Sequence, residues 1–121
     1  MKEFLDLTKA LADENRVRLL LALRDGELCA CQLTELIQLA PSTVSKHLFL
    51  LKNAGLVQSR KEGRWIYFKL VENKAPLAVR EAIGWVKKSL GKSERARKDA
   101  ALLAKILKQN PVELCKRQGC R

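Results

Sequence analysis

The stretch Pro41-Ser42-Thr43-Val44-Ser45-Lys46-His47-Leu48, closed by Ala54-Gly55 and followed by Leu56-Val57-Gln58-Ser59-Arg60 and Arg64-Trp65-Ile66-Tyr67-Phe68-Lys69-Leu70, decides the fold. Its first part reads as a helix over 41–54. Proline suits the first helical turn, where its missing N–H has no intrahelical partner to lose, and Val44, Leu48 and Leu51 recur on one face. At Gly55 the helical period gives way to alternation. The runs on either side of Lys61-Glu62-Gly63 predict a β-hairpin with glycine at its turn. Upstream, a short helix over 29–39, with Leu33, Leu36 and Ile37 inward, is interrupted by Ala40-Pro41-Ser42. Two short helices, a tight turn and a hairpin predict a mainly α fold with a β-hairpin wing, a winged helix-turn-helix. In that arrangement the second helix enters the major groove and the hairpin tip reaches the neighbouring backbone. Ser42, Thr43, Ser45, Lys46 and His47 then face the groove, and Lys61 and Arg64 flank the hairpin turn within reach of phosphate.

Working outward, residues 1–11 carry Phe4, Leu5, Leu7, Ala10 and Leu11 close to helical spacing. Asp13 can cap a second helix running through Val17, Leu19, Leu20, Leu21 and Leu23 to a stop at Asp25-Gly26. Beyond the hairpin, helical spacing resumes over 76–90 and breaks at Gly91-Lys92-Ser93. A last helix over 94–109 follows, and residues 110–121 read as irregular. The expected organisation is a DNA-binding unit over 1–91, extended by a helix and a basic, cysteine-containing tail over 92–121.

The chain has 121 residues, 47% hydrophobic and 31% charged, so it can bury a core and fold as one globular unit. Its 24 Lys and Arg against 13 Asp and Glu give a net charge of +11, which points to a polyanionic partner, nucleic acid first. Residues 1–40 hold five basic and seven acidic side chains, residues 41–70 six and one, and residues 71–121 thirteen and five. A polyanion is therefore expected on the middle and the tail. No apolar run approaches the roughly 20 residues of a membrane helix, and Met1-Lys2-Glu3-Phe4-Leu5-Asp6 has no secretory character. The expected location is the cytoplasm, away from membranes, where thiols stay reduced.

Three blocks, 41–48, Leu51-Lys52-Asn53-Ala54-Gly55-Leu56-Val57 and Arg60-Lys61-Glu62-Gly63-Arg64-Trp65-Ile66-Tyr67-Phe68-Lys69-Leu70, together closely resemble the winged-helix core of the ArsR/SmtB metalloregulators. Ala10-Leu11-Ala12-Asp13-Glu14-Asn15-Arg16-Val17-Arg18 matches the start of that family's second helix. Glu27-Leu28-Cys29-Ala30-Cys31-Gln32-Leu33 resembles the metal box of its arsenic-sensing branch. The similarity covers about residues 4–90. It implies a homodimeric repressor, not an enzyme, that reads an inverted repeat in operator DNA and leaves it when a toxic metal or metalloid binds. Arsenite or antimonite is the implied inducer, held by Cys29 and Cys31, and no organic cofactor is implied. The first helix and the helix over 76–90 form the dimer interface in that family, which adds dimerisation to the role of the unit over 1–91.

Soft thiolates select soft ions, and trivalent arsenic is satisfied by three of them. The chain departs here from the best-known arsenic pattern, placing Thr34 where that pattern has a third cysteine. Cys115 and Cys120, the remaining cysteines, are the candidates to complete the site, from the same subunit or its partner. On a regular helix Cys29 and Cys31 would lie about 200° apart, so shared ligation requires local unwinding or a place at the helix start. A zinc site on the helix over 76–90 is not expected, because that helix offers Glu81 and no histidine. Trp65 and Tyr67 read as wing packing, Trp85 as interface or core, and His47 as a groove-face or packing residue. Arg95, Arg97, Lys98, Lys105 and Lys108 read as a solvated face, with phosphate contact the alternative. Cadmium, lead or copper(I) sensing, or thiol oxidation, are the alternatives within the same fold. A thiol oxidoreductase or arsenate reductase is disfavoured by Cys-x-Cys spacing and the lack of strand–helix alternation.

Overall fold

The computed structural model describes residues 1–71 and 74–119. The chain runs α1 (Lys2–Ala10), α2 (Glu14–Ala22), a 3-10 turn (Leu23–Asp25), β1 (Leu28–Cys29), α3 (Ala30–Ile37), α4 (Pro41–Asn53), β2 (Val57–Glu62), β3 (Trp65–Leu70), α5 (Leu77–Leu90), α6 (Glu94–Ile106) and α7 (Pro111–Arg117). Local chemistry sets the boundaries that matter. The Asp13 carboxylate accepts from the Asn15 and Arg16 N–H groups at 2.8 and 3.2 Å, satisfying two donors that α2 leaves without intrahelical partners. After α3, Gln38 takes the left-handed conformation at φ 60°, and the chain reverses into Pro41 at the head of α4.

The end of α4 explains the change of period. The Leu56 N–H bonds to the Leu51 carbonyl and the Gly55 N–H to that of Lys52, both at 3.0 Å, with Gly55 at φ 80°. This double closure requires a residue tolerant of positive φ, and it turns the fully buried Leu56 inward as β2 begins. The strands β2 and β3 then pair antiparallel from Val57↔Leu70 to Glu62↔Trp65, around a turn with Gly63 at φ 61°. The winged helix-turn-helix expected from the sequence is present.

Three differences from the sequence reading have physical causes. First, the sheet has three strands in the order β1-β3-β2, because Leu28 and Cys29 pair with Phe68 and Tyr67 of β3. A two-residue strand cannot display alternation, and its partner lies far along the chain. Second, residues 111–117 are helical, not irregular. Asn110 accepts from the Val112 N–H at 2.8 Å, Pro111 occupies the first turn, and Leu114 is fully buried in the core. One apolar anchor in seven residues gives no readable periodicity. Third, α6 ends at Ile106 and turns a buried face inward through Ala96, Asp99 and Ile106. Asp99 accepts from Arg18 Nε at 2.8 Å and Nη2 at 3.0 Å. That bonding raises the Arg18 pKa although burial opposes it. The outer cations Arg95, Arg97, Lys98 and Lys105 of α6, and Lys108 just beyond it, are exposed, and Lys98 pairs with Glu94 at 3.1 Å.

The core gathers Leu19, Leu33, Leu51, Leu56 and Leu114, each at 0% exposure, from α2, α3, α4, the start of the wing and α7. Burying each such leucine contributes roughly 1.5–3 kcal/mol. Phe4 on α1 and Leu77 and Trp85 on α5 remain 61%, 60% and 68% exposed, so Trp85 is not a core residue of this chain. Among the described residues no helix is long and apolar enough to cross a membrane.

Candidate functional site

The candidate site has a buried half and an exposed half, joined by α3 and the wing. Cys29 is the residue before α3, with extended backbone at φ −84° and ψ 159°, and Cys31 lies in the first helical turn. The 200° separation of a regular helix therefore does not apply: of the two arrangements that shared ligation allows, the chain has the helix start. Both residues are buried, at 3% and 6% exposure. The Gln32 side chain accepts from the Cys29 N–H at 3.0 Å and fixes this start. Thr34 is also buried, and its hydroxyl donates to the Ala30 carbonyl at 2.8 Å, so the position of the missing third thiol is committed to the helix itself.

The tail comes to this same place. Helix α7 packs on α3, Gln118 Nε2 donates to the Cys31 carbonyl at 2.9 Å, and Arg117 pairs with Glu35 at 3.3 Å. Cys115, half-buried on α7, packs against the core cluster that contains Cys29 and Cys31. Cys120 lies outside the described residues. Among the described residues no group of three His, Cys, Asp or Glu side chains is already gathered as an ion would need. Cys31 of α3 and Cys115 of α7 pack in or against the core cluster that also holds Cys29, and thiolates are soft donors that favour soft ions over hard ones.

The exposed half lies along α4. Ser42, Thr43, Ser45 and Lys46 are exposed on it, whereas His47 is half-buried with Nδ1 3.3 Å from Arg16 Nη1. Ala40, the residue before the helix, provides no side-chain cap. Lys61 and Arg64 are exposed at the wing tip, and Arg64 sits 5.7 Å from the Trp65 ring. The wing lies alongside the helix, with Lys52 Nζ 2.8 Å from Ser59 Oγ. Trp65 and Tyr67 are half-buried against the core, in keeping with wing packing.

Four contacts not readable from the sequence bind these halves together. Arg60 holds Glu27 at 2.7 Å and Glu62 at 2.8 Å and lies 4.4 Å from the Tyr67 ring centre, so the wing is fastened to the residue pair leading into Cys29. The hydrogen-bonded Arg60 guanidinium holds the Glu27 carboxyl below its ordinary value of 4.5, and the two carboxylates raise Arg60 in turn. Arg16 donates to the Ala10 and Lys9 carbonyls at 2.8 and 3.0 Å, closing α1 onto α2 beside His47. Arg18 links α2 to Asp99 of α6, and Gln118 links α7 to Cys31. Apart from Arg60 and Glu62, which share β2, the partners lie on different segments of the chain, and no local spacing announces such a pair.

Comparison with known proteins adds a family to this geometry. Residues 13–59 match the family model described as "Bacterial regulatory protein, arsR family". The chain is 44% identical over 63 residues to the arsenic resistance transcriptional regulator ArsR1 of Pseudomonas putida, covering 51% of this chain and 49% of that one. The match thus spans about half the length of that relative. Cadmium resistance regulatory proteins of Staphylococcus aureus, Listeria innocua and Lactococcus lactis match at 40–41% identity. Among solved structures, HlyU from Vibrio cholerae superposes with a TM-score of 0.64 at 30% identity, covering 75% of this chain and 95% of that one. The homodimeric winged helix-turn-helix DNA-binding domain of Mb0332 from Mycobacterium bovis superposes with a TM-score of 0.62 at 26% identity, covering 73% and 78%.

Proposed function

Since the chain belongs to the arsR family of bacterial regulatory proteins, we propose that it is a homodimeric transcriptional repressor of a metal or metalloid resistance operon, with no catalytic role of its own. It releases operator DNA when trivalent arsenic or antimony binds its thiolates. The observation that carries this reading is the position of Cys29: buried, at the start of the first helix of the helix-turn-helix, and paired with Tyr67 of the wing. Drawing the Cys29 and Cys31 sulfurs onto one centre displaces backbone that is shared with the wing on one side and with α3 on the other. DNA release then requires only that the thiolates hold the ion better in the displaced arrangement than in the DNA-bound one. Cys115, and Cys120 beyond the described residues, complete the soft donor set.

On the DNA side, Ser42, Thr43, Ser45, Lys46 and His47 of α4 enter the major groove, where small hydroxyl groups can approach base edges and phosphates. Lys61 and Arg64 of the wing take the flanking backbone. The exposed Phe4, Leu77 and Trp85 of α1 and α5 form the dimer face, and the two-fold axis sets an inverted-repeat operator with half-sites about one helical turn apart. The protein works in the cytoplasm.

The test is a gel shift on DNA upstream of the chain's own operon, with arsenite, antimonite and cadmium as separate additions. The expected result is a shifted band lost on adding arsenite or antimonite, and retained in the double variant Cys29→Ser, Cys31→Ser. A double serine variant released as readily as the parent would overturn the thiol assignment. Release by cadmium alone would move the chain to the other branch represented among its relatives. Cys115→Ser and Cys120→Ser, singly and together, then show whether the tail supplies ligands.

A further inference from the structure

Phe49 stands out on α4. It is 61% exposed although it sits mid-helix between the core residues Leu48 and Leu51, which are 1% and 0% exposed. At 100° per residue, Ser42, Lys46, Phe49 and Asn53 fall on one stripe, and all four are exposed. That stripe carries Ser42 and Lys46, two of the groove-facing residues of the proposed function, so the ring continues the same surface toward the C-terminal half of the helix. Leu50, 45% exposed, borders it on the side where Lys2, Lys9 and Arg16 outnumber the one carboxylate, Asp6, which pairs with Lys2 at 3.6 Å, around a depression of about 560 Å³. On the opposite side lie Lys52 and Ser59 of the wing. An apolar ring framed by cations on both flanks suits a partner that is anionic at its edges and presents apolar groups between them. Duplex DNA has that pattern in its major groove, where thymine displays a 5-methyl group between the phosphate backbones.

We infer that Phe49 is a specificity-determining residue that packs on thymine methyl groups in the major groove. The inference rests on the reading of the chain as a DNA-binding regulator and deepens it by naming a base preference. The hydroxyl groups of Ser42, Thr43 and Ser45 hydrogen-bond with little discrimination among base edges, so an apolar contact at Phe49 adds a preference they lack. Burying one methyl group is worth about fourfold in affinity. A two-fold dimer applies that factor once per half-site.

The experiment selects duplexes from a random pool with the full chain, then replaces each thymine of the retained sequence with deoxyuridine, which differs only by the missing methyl group. Binding is measured for the parent and for Phe49→Ala, which changes an exposed side chain and leaves the core intact. The expected result is one symmetry-related thymine pair at which uracil weakens the parent about fourfold per site and leaves Phe49→Ala unaffected. Uracil that is neutral for the parent at every position, or equally harmful to both proteins, overturns the inference while the regulatory reading stands. So does a Phe49→Ala chain that binds the duplex as the parent does but differs in self-association, which would make the ring a protein contact. A pool that yields no retained duplex overturns the regulatory reading and this inference with it.

Discussion

The start of α3 and the outer stripe of α4 belong to one helix-turn-helix and are built on opposite plans. At the start of α3 the side chains are buried and the backbone is tied to the wing through β1, to α7 through Gln118 and to Arg60 through Glu27. Along α4 the side chains of Ser42, Thr43, Ser45, Lys46 and Phe49 face outward. A region that is to move its neighbours must be bonded to them. A region that is to meet an outside molecule keeps its polar groups hydrated until contact. In the proposed mechanism, buried thiols signal through the framework, and the exposed stripe is carried along as a rigid body.

The contrast can be broken most severely at its framework. Asp99→Ala leaves a partly buried Arg18 charge with only neutral acceptors at Asn15 and Leu36, and a loss of about 3 kcal/mol is expected by chemical denaturation. A loss under about 1 kcal/mol would show that α6 does not brace α2. Next, Leu33→Ala in α3 empties a site of 0% exposure and should cost about 2–5 kcal/mol, whereas Phe49→Ala on α4 should stay within about 0.5 kcal/mol. Equal costs in the same denaturant series would erase the distinction between the two regions. Gln118→Ala removes one hydrogen bond to the Cys31 carbonyl, and about 1 kcal/mol is expected, with faster amide exchange in the first turn of α3 than in α4.

The smallest effect concerns pH. Glu27 is depressed in the folded chain, so its contribution is complete above the ordinary value of 4.5 and is lost as pH falls through the lower folded value. Urea midpoints from neutral pH downward should therefore decline less steeply on the acid side in Glu27→Gln than in the parent. Parallel curves would mean that Arg60 does not fasten the wing to the residue before β1.

How much was legible in the sequence follows from the range of each interaction. The boundaries of α2 and α4 were readable because Asp13 and Gly55 act on their own neighbours, and the hairpin because Gly63 and strict alternation are local signals. The exposed Ser42, Thr43, Ser45 and Lys46 of α4 were readable from the helical period, since Val44, Leu48 and Leu51 mark the inward face, whereas Cys29 and Cys31 were singled out by resemblance to a family. The strand β1, the helix α7 and the contacts Arg18–Asp99 and Gln118–Cys31 were not, since each joins segments 40 to 90 residues apart or presents one or two residues as its only signal. Arg95, Arg97 and Lys98 are exposed, as a solvated face or a phosphate contact would both require, but Asp99 beside them is buried, and a charged residue on a charged helix gives no sign of facing inward.

The docking of α7 on α3 also orders events in time. Gln118 lies 87 residues beyond Cys31 in the chain. At ribosomal speeds of about 5–20 residues per second, roughly 4–17 seconds separate the synthesis of the two residues. During that interval α3 stands without the helix that docks on it, so in a newborn molecule the backbone at Cys31 lacks the bond from Gln118 that the finished chain supplies.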